Sequence, residues 1–431
     1  MKKIYSIYWS LVVVLLAACG DYFDQPGDGD AVDRARFFSD ESAYRQVITD
    51  AYMQLRDTAL YGGTLTLTLL EQAGGLIEAY DVATAAMVRN DWENEALSRR
   101  LAVTKRAMYR VVASCDDMID AVRADQLKSA EVRMAVGEAY GLRAAVSFDL
   151  YRLFDEGVGL SAVNEDLYRA ASLLRTTDPL VTTTSQTAVA VGQQDRRLRT
   201  LAMNWYAVKA VQARVALWER RYADAIAAVD SILSPLDTLH ERYQVYYFVE
   251  PGKYGADYCF SREFLFGIAT RPDGFAALSD RLFVEGDVRT TSRLRSIYAD
   301  AADIRYRAWF RPSADGQGYT MARKFGRQTL LSGYVVSQTG SETMLPASIP
   351  FIKLGECLLI AAEALNESGR TEEALALVER LETGKDCPGY AAHVRDLGVT
   401  HEAVSRLIDA ECERELFGEG QLYYYQKRKR R

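Results

Sequence analysis

The hydrophobic positions of the chain recur mostly at three- and four-residue spacing, the period of an α-helix with one buried face. The clearest case is residues 131–154, where Val132, Ala139, Leu142 and Val146 fall near one stripe. The pattern therefore predicts a mainly α protein. Similar stripes predict helices at about 39–56, 98–123, 200–219, 222–233, 353–367, 371–382 and 400–417.

Two stretches, 216–233 and 364–381, share a further pattern. Each ends one helix, turns over a few polar residues and begins another helix with Ala-Ile or Ala-Leu. This resembles the tetratricopeptide helix–turn–helix, in which small residues let two antiparallel helices approach closely. The second copy is one residue longer at its turn, so the repeat is degenerate. We predict a tetratricopeptide-like scaffold of helix pairs.

The helical period is interrupted between about 235 and 350. Residues 57–96 and 156–199 are rich in Gly, Thr, Ser and other polar residues, which favours loops. β-branched and aromatic residues between Gly and Pro predict short strands in three runs, 241–252, 259–270 and 318–326. Since the helix-pair pattern resumes at 350, we predict a single domain over 31–431 with long loop insertions and a small β element. The alternative is two domains divided near 235.

The first nineteen residues have the pattern of an export signal. Lys2 and Lys3 precede an uncharged, mostly apolar run from Ile4 to Ala18. A helix of that length rises about 22 Å, less than the ~30 Å core of a bilayer, so the run predicts a signal peptide over 1–18. Leu16-Ala17-Ala18-Cys19 resembles the lipobox of bacterial lipoproteins, which implies acylation of Cys19. An ordinary signal peptide or an uncleaved anchor is the alternative.

The segment 19–30 is acidic and turn-rich, and it predicts a flexible tether. Its acidic residues resemble the signal that exports lipoproteins of the Bacteroidetes to the cell surface. The net charge of the chain is −7, and loss of Lys2 and Lys3 takes it to −9. Such a chain repels phosphate backbones, which argues against nucleic-acid binding. We interpret the basic tail, 427–431, as a solvated end that contacts lipopolysaccharide or a partner, or has no role.

Residues for catalysis and metal binding are sparse. The chain has three histidines and lacks HExxH, GxSxG, a Gly-rich phosphate loop and any Cys/His cluster. We therefore predict no catalytic residue, no metal ligand and no cofactor. A glycosidase with paired carboxylates stays open, because sequence spacing does not reveal a shared cleft. Besides Cys19 there are five cysteines, an odd number without CxxC, and we expect them to be buried small residues.

The C-terminal part carries a recognisable signature. Residues 349–382 and 401–420 resemble the SusD/RagB family of surface nutrient-binding lipoproteins of Bacteroidetes, and 140–154, 204–226 and 282–294 resemble earlier family segments in the same order. The matching positions are Ile349-Pro350, Ala362-Glu363-Ala364-Leu365-Asn366, Gly369, Ala374-Leu375 and Glu413-Arg414-Glu415-Leu416-Phe417-Gly418-Glu419-Gly420.

The charges of this signature have a structural interpretation. We expect Glu413, Arg414 and Glu419 to pair across helices and Gly420 to suit a helix C-terminus. The chain departs from the family at 422–428, where an aromatic-Asp-Leu-x-Arg stretch usually closes the fold. That departure bears on the ligand more than on the fold.

The resemblance implies a lipid-anchored protein of the outer membrane that faces outwards. It would capture a nutrient, most simply a glycan or a peptide, and deliver it to a SusC-like TonB-dependent transporter without covalent chemistry. The alternatives are a surface glycosidase or peptidase, and a non-catalytic assembly or adhesion module whose repeats bind another protein.

Glycans are held by aromatic rings that stack on apolar sugar faces, with a few hydrogen bonds for orientation. We therefore expect the ligand contacts among aromatic residues in non-helical stretches. Trp205 and Trp218 fall on helix stripes and are expected in the core. The candidates are Trp92, Tyr80, Tyr246, Tyr247, Tyr254 and Tyr258, of which Trp92 has the most polar surroundings.

Overall fold

A computed structural model describes residues 34–182, 199–243, 245–250, 252, 257–270, 272–286, 288–325, 334–338, 341–345 and 348–431. Cys19, the tether and Tyr254 lie outside these ranges.

The described chain is mainly helical, which confirms the predicted fold class. The helices, numbered in chain order, are α1 (Arg34–Phe37), α2 (Glu41–Leu55), α3 (Glu71–Ala73), α4 (Val82–Val88), α5 (Glu95–Ala121), α6 (Ala130–Phe154), α7 (Leu160–Arg175), α8 (Pro179–Thr182), α9 (Trp205–Trp218), α10 (Tyr222–Leu233), α11 (Leu236–Tyr243), α12 (Pro272–Asp280), α13 (Leu294–Ile297), α14 (Ile304–Trp309), α15 (Leu354–Glu367), α16 (Thr371–Gly384), α17 (Gly389–Leu397), α18 (His401–Glu415) and α19 (Gln421–Lys429). Short 3₁₀ or π-helical turns lie at Leu65–Leu70, Gln126–Lys128, Arg199–Leu201, Ser261–Glu263 and Arg281–Glu285.

Polar caps fix where the longer helices begin. Asp40, Asn94 and Asn204 accept hydrogen bonds from backbone N–H groups of the first turns of α2, α5 and α9. Thr400 does the same for α18. Each cap satisfies a donor that the helix itself leaves unpaired. The helix starts therefore follow from single residues of the sequence.

The helices pack as consecutive antiparallel pairs. α6 packs on α7, α9 on α10 and α15 on α16, while α7 contacts α9 and α10 contacts α15, so the pairs form a continuous stack. Close approach depends on small residues: a Cβ added at Gly137 of α6 would lie 2.9 Å from Leu174 Cγ of α7. One buried apolar cluster extends from Phe38 to Tyr424 along this stack.

The structure corrects part of the predicted loops. Residues 156–199 include α7, a helix of sixteen residues, and 57–96 include α4 and buried helical turns. The run 241–252 forms no strand in its described residues, since α11 occupies its start. Antiparallel strand pairs make up the small β element: β1 (Phe264–Ala269) with β6 (Ser348–Lys353), β2 (Arg311–Pro312) with β3 (Tyr319–Thr320), and β4 (Tyr334–Gln338) with β5 (Ser341–Leu345).

The signature residues of the C-terminal region build a buried ionic cluster. Arg305, which has no exposed side-chain surface, donates to Glu411 at 2.9 Å and to Glu415 at 3.0 Å. Lys353 pairs with Glu415 at 3.2 Å and with Glu419 at 2.5 Å. Burial opposes the charge of Glu415, but the surrounding cations outweigh it and lower the pKa of this carboxyl. The signature residues thus form part of a charged core.

The remaining signature residues complete this ionic cluster or flank it. Glu413 pairs with Arg293 near the surface and Glu419 pairs with Lys353, so charge pairing across elements is confirmed for these two residues. Arg414 is buried and donates to Glu411 at 2.6 Å within α18, which corrects its expected pairing across helices. Lys324 donates to Glu419 at 2.8 Å. Gly420 precedes α19 instead of ending a helix, which corrects its expected role. Its φ of 68° is accessible to glycine, and its N–H donates to Glu71 Oε2 at 3.1 Å.

The five cysteines beyond Cys19 are buried and unpaired in the structure, as expected; the set is Cys115, Cys259, Cys357, Cys387 and Cys412. Burial raises the pKa of the Cys115 thiol to about 12, so it stays protonated at neutral pH. In the part of the chain that the structure describes, no helix combines the length and the apolar character needed to cross a bilayer.

Candidate functional site

A cleft of about 430 Å³ opens where the C-terminal helix α19 meets the end of α6 and the turn between α4 and α5. That volume falls within the roughly 300–1,000 Å³ of sites that hold small organic ligands. The walls combine apolar, aromatic and polar side chains: Ala73, Met87, Val88, Leu153, Trp92, Tyr423, Asn90, Asp155, Gln426, Lys427 and Arg430.

Trp92 lies in the turn that joins α4 to α5. Asn90 takes a left-handed conformation with φ 57°, and the N–H of Asp91 donates to Ala86 O at 2.9 Å, which closes the end of α4. Asn94 then caps α5 by accepting from Ala96 N and Leu97 N. The indole is 49% exposed although the backbone on both sides of it is fixed. Trp92 therefore exposes an aromatic face from a turn whose backbone is held by hydrogen bonds.

The other end of α4 is tied to α5 by an ion pair. Asp81 caps α4 in a reciprocal pair of hydrogen bonds with Thr84, and Arg100 of α5 donates to both oxygens of Asp81. Burial disfavours the charge of Asp81, but the bonds from Arg100 and Thr84 outweigh this, so the pKa of the carboxyl is lowered. The turn that carries Trp92 is thus held at both ends.

α19 contributes one face to the cleft. Tyr423, Gln426, Lys427 and Arg430 follow the spacing i, i+3, i+4 and i+7, which places them on one side of a helix. Tyr423 is partly buried, and burial raises the pKa of its hydroxyl. The four side chains give the cleft a ring, an amide and two cations in one row.

Hydrogen bonds hold this face in place. Gln426 Nε2 donates to Gly74 O at 3.0 Å, and Lys427 Nζ donates to Arg152 O at 2.7 Å. Asp155 ends α6 in a left-handed conformation, and its carboxylate lies 3.3 Å from Lys427 Nζ. The cleft therefore joins segments that lie more than 250 residues apart in the chain, as the separations of these bonds show.

A second cavity, of about 50 Å³, lies behind α19 and is lined by buried groups such as Arg152, Trp218 and Tyr424. It has room for a water molecule or two but not for a sugar ring. Within the described chain, Arg152 Nε, Trp218 Nε1 and the Tyr424 hydroxyl have no hydrogen-bond partner. The larger cleft is thus the candidate site.

The aromatic residues predicted from the sequence differ in their exposure and in whether they line the cleft. Trp92 is exposed and lines the cleft. Tyr80 is 39% exposed, but it is not part of the cleft wall; its N–H donates to Gln72 Oε1 at 2.8 Å. Trp218 is buried against Phe148 and Trp205 is partly buried, in agreement with the expected core positions.

The described tyrosines near Pro251, which are Tyr246, Tyr247 and Tyr258, do not line this cleft. Tyr246 has no exposed surface and packs edge-on against Tyr206, so its assignment as a ligand contact is corrected: a fully buried ring cannot stack on a sugar. Tyr247 is stacked on His240 with ring centroids 4.2 Å apart, and Tyr258 is partly buried against the core. Tyr254 lies outside the described residues.

Sequence reasoning missed the contribution of α19. Tyr423, Lys427 and Arg430 were visible as an aromatic run followed by a basic tail, and their helical spacing was the available signal. The described residues contain no group of three or more His, Cys, Asp or Glu side chains placed to hold a metal ion.

Comparisons with known proteins agree with this architecture. Residues 307–429 match the model of the SusD family. A SusD-like carbohydrate binding protein from Bacteroides vulgatus has a TM-score of 0.61 at 14% identity, over 90% of this chain and 83% of that one. A SusD superfamily protein from Bacteroides thetaiotaomicron has a TM-score of 0.63 at 16% identity, over 90% of each chain. A SusD homolog from the same species has a TM-score of 0.63 at 15% identity, over 93% of this chain and 90% of that one.

No curated protein matches the chain. The solved structures establish the fold at identities too low to carry a ligand across. The match of residues 307–429 to the family model confirms the resemblance found in the C-terminal sequence, so the chain carries a SusD-family C-terminal region on a SusD-like fold.

Proposed function

We propose that this protein is a cell-surface lipoprotein that binds a glycan and delivers it to a SusC-like TonB-dependent transporter of the outer membrane. The observation that carries the proposal is the cleft with Trp92 presented on its wall. A solved protein of the same fold is described as carbohydrate binding, which supports the same ligand class.

The cleft has the physical properties that sugar binding requires. The exposed indole of Trp92 offers a flat apolar face, and the partly buried ring of Tyr423 adds a second aromatic group to the wall. Asn90 and Gln426 supply amide donors and acceptors beside them. A sugar ring needs this combination, since its C–H face stacks on an aromatic ring while its hydroxyls need hydrogen-bond partners.

The cellular part of the proposal depends on the lipobox-like sequence at Leu16–Cys19 and the tether over 19–30. Acyl chains on Cys19 would hold the domain at the outer membrane, and several chains bind a bilayer far more strongly than one. A tether of about a dozen residues would let the domain move over a transporter without leaving the membrane.

The first test is affinity electrophoresis of the mature chain from Gly20 onwards in gels that contain single polysaccharides. We expect one glycan to retard the protein and Trp92→Ala to abolish the retardation. Tyr168→Ala is the matched control, because Tyr168 is 72% exposed and does not line the cleft. Equal retardation of the Trp92 variant and the parent would show that the cleft is not the glycan site.

The transporter is tested separately in cells that express the full chain. We expect a TonB-dependent barrel protein to co-purify with the lipidated protein, and Cys19→Ala to lose membrane attachment. Shortened glycan chains after incubation would favour the surface hydrolase instead. Co-purification without any glycan binding would favour the assembly module.

A further inference from the structure

The five basic residues at positions 427–431 make different contacts in the structure. Arg428 donates to both oxygens of Glu363, at 2.7 and 2.6 Å, and Lys429 lies 3.4 Å from both Glu363 and Asp409. The Arg431 guanidinium lies 5.1 Å from the ring centroid of Trp218. These three cations are engaged on the side of α19 away from the cleft.

The other two cations line the cleft. Lys427 is held by the Arg152 carbonyl and by Asp155, the one carboxylate on the cleft wall. Arg430 is exposed, and in the described part of the chain its guanidinium has no carboxylate partner. Burial and Asp155 raise the pKa of the Tyr423 hydroxyl, and the positive charge of Arg430 opposes this rise. A cation without a carboxylate partner among the described residues thus lies on the same wall as the aromatic side chains.

The local charge contrasts with that of the whole chain. Two cations and one carboxylate leave the cleft with an excess of positive charge, although the protein as a whole is acidic. A protein with a net negative charge attracts polyanions weakly as a whole, so a locally positive cleft of this kind is what can bind a negative group. Arginine suits the task, because its planar guanidinium forms paired hydrogen bonds with carboxylate and sulfate groups.

We infer that the ligand of the cleft is an acidic glycan, with a sugar carboxylate or sulfate bound by Arg430 while the sugar ring stacks on Trp92. This inference rests on the proposed glycan-binding function and specifies its substrate class. Lys427 adds to the field at the same wall, and Asp155 fixes the position of Lys427.

The test uses pairs of glycans that differ only in charge. Oligogalacturonate is compared with its carboxyl-reduced form, and chondroitin sulfate oligosaccharides with desulfated ones, by isothermal titration against the chain from Gly20 onwards. We expect a charged member to bind about tenfold or more tightly than its neutral partner, the size of a charge-assisted hydrogen bond. The preferred pair identifies carboxylate or sulfate as the source. The preference is expected to fall as salt rises, because the cations are exposed.

Arg430→Gln is expected to remove the preference, so that the charged glycan and its neutral partner bind with similar affinity. Arg406→Gln is the control, since Arg406 is equally an exposed helix arginine but pairs with Glu402 away from the cleft. The comparison of a charged glycan with its neutral partner uses the unsubstituted protein, so that result does not depend on whether a variant folds.

The outcomes separate the two proposals. Equal binding of charged and neutral glycans, lost in Trp92→Ala, would overturn the acidic ligand and keep the glycan-binding function. A charge preference that survives Arg430→Gln would overturn the role of Arg430. Absence of binding by every glycan in both pairs and in the wider polysaccharide panel would overturn both proposals.

Discussion

The ionic cluster at the C-terminal signature and α19, which forms one wall of the cleft, are neighbours in the chain, yet the cluster and the cleft use charge in opposite ways. In the cluster, Arg305, Lys353 and Lys324 are buried and each has a carboxylate within hydrogen-bond distance. In the cleft, Arg430 is exposed and has no carboxylate partner among the described residues. Buried charges need partners to compensate for lost hydration, whereas an exposed unpaired cation is available to a ligand.

The comparison separates the residues that make the family recognisable from those that make the binding surface. Glu411, Glu415 and Glu419 belong to the signature, and all three face inwards to cations. Trp92 and Arg430 lie outside it. A match to the family therefore reports the fold through its charged core and says little about the ligand.

The largest effect should come from breaking the ionic cluster. Glu415→Gln leaves Lys353 and Lys385 with less negative charge in a fully buried site, and we expect the free energy of unfolding to fall by about 3–5 kcal/mol. Urea unfolding followed by circular dichroism measures the change. Glu373→Gln, at an exposed pair with Arg370, is the control and should leave unfolding unchanged. A loss no larger than that of the control would contradict the structural role.

A pair of tryptophan substitutions sharpens the comparison. Trp218→Ala removes an indole that is 8% exposed and packs on Phe148, so we expect a loss of about 3–5 kcal/mol in unfolding free energy. Trp92→Ala removes an exposed indole and should change stability by less than about 0.5 kcal/mol while it abolishes glycan retardation. Similar destabilisation by both substitutions would place Trp92 in the core.

The pH dependence of stability should reveal a buried carboxyl at the edge of the cluster. Burial raises the pKa of Glu71 to about 7, and the negative charge of Glu419 adds to this rise. The backbone N–H groups of Gly418 and Gly420 and the charge of Lys324 act in the opposite direction. The folded state then binds the Glu71 proton more tightly than the unfolded state. The stability from Glu71 is complete below about pH 4.5 and is lost as pH rises through about 7.

We therefore expect the parent to lose about 2.5 kcal/mol relative to Glu71→Gln between about pH 5 and pH 8, measured by urea unfolding at both values. The difference between the two proteins isolates Glu71, because Asp257 and Glu382, whose pKa values burial also raises, contribute to both profiles. Parallel profiles would show that Glu71 is ionised in the folded state throughout this range.

The smallest effect should come from the cap before α5. Asn94→Ala removes two hydrogen bonds to the first turn, and we expect a loss of about 1 kcal/mol in stability. Because Asn94 lies two residues after Trp92, glycan affinity should also fall, by several-fold. Asn94→Asp keeps a capping oxygen and should retain both properties. Unchanged affinity in Asn94→Ala would show that the turn keeps its shape without the cap.

The helix pairs were predictable because one member, α10 or α16, carries a single apolar stripe, while its partner, α9 or α15, is mostly apolar and buried on nearly every side. α7 also carries one apolar stripe, formed by Val163, Leu167, Ala170 and Leu174. Its segment was predicted as a loop because the composition of 156–199 is rich in Gly and polar residues. The turn at 65–70 has the sequence Leu-Thr-Leu-Thr-Leu-Leu, whose two-residue alternation is typical of a strand, yet it forms a buried π-helical turn. Over so short a segment, tertiary packing decides the element and local spacing does not.

The site was predictable only where exposure follows from neighbouring residues. Trp92 is flanked by Asn, Asp and Glu, and it is exposed as expected. Tyr246 is flanked by Val245 and Tyr247, and it is buried against Tyr206, which comes from α9, forty positions earlier. The cleft itself depends on contacts between α19 and residues such as Gly74 and Arg152, far apart in sequence. Such long-range contacts are not encoded in any local pattern.

The contrast between the tryptophans has an optical consequence. Trp309 is fully buried, with the Lys324 ammonium 3.6 Å from its ring centroid, and Trp218 is also buried, whereas Trp92 is half exposed in the cleft. Indole fluorescence depends on the polarity around the ring, so Trp92 should contribute the emission at the longest wavelength. A sugar that covers it would shift that component to the blue and leave the others in place. The domain thus contains its own unlabelled reporter of ligand binding.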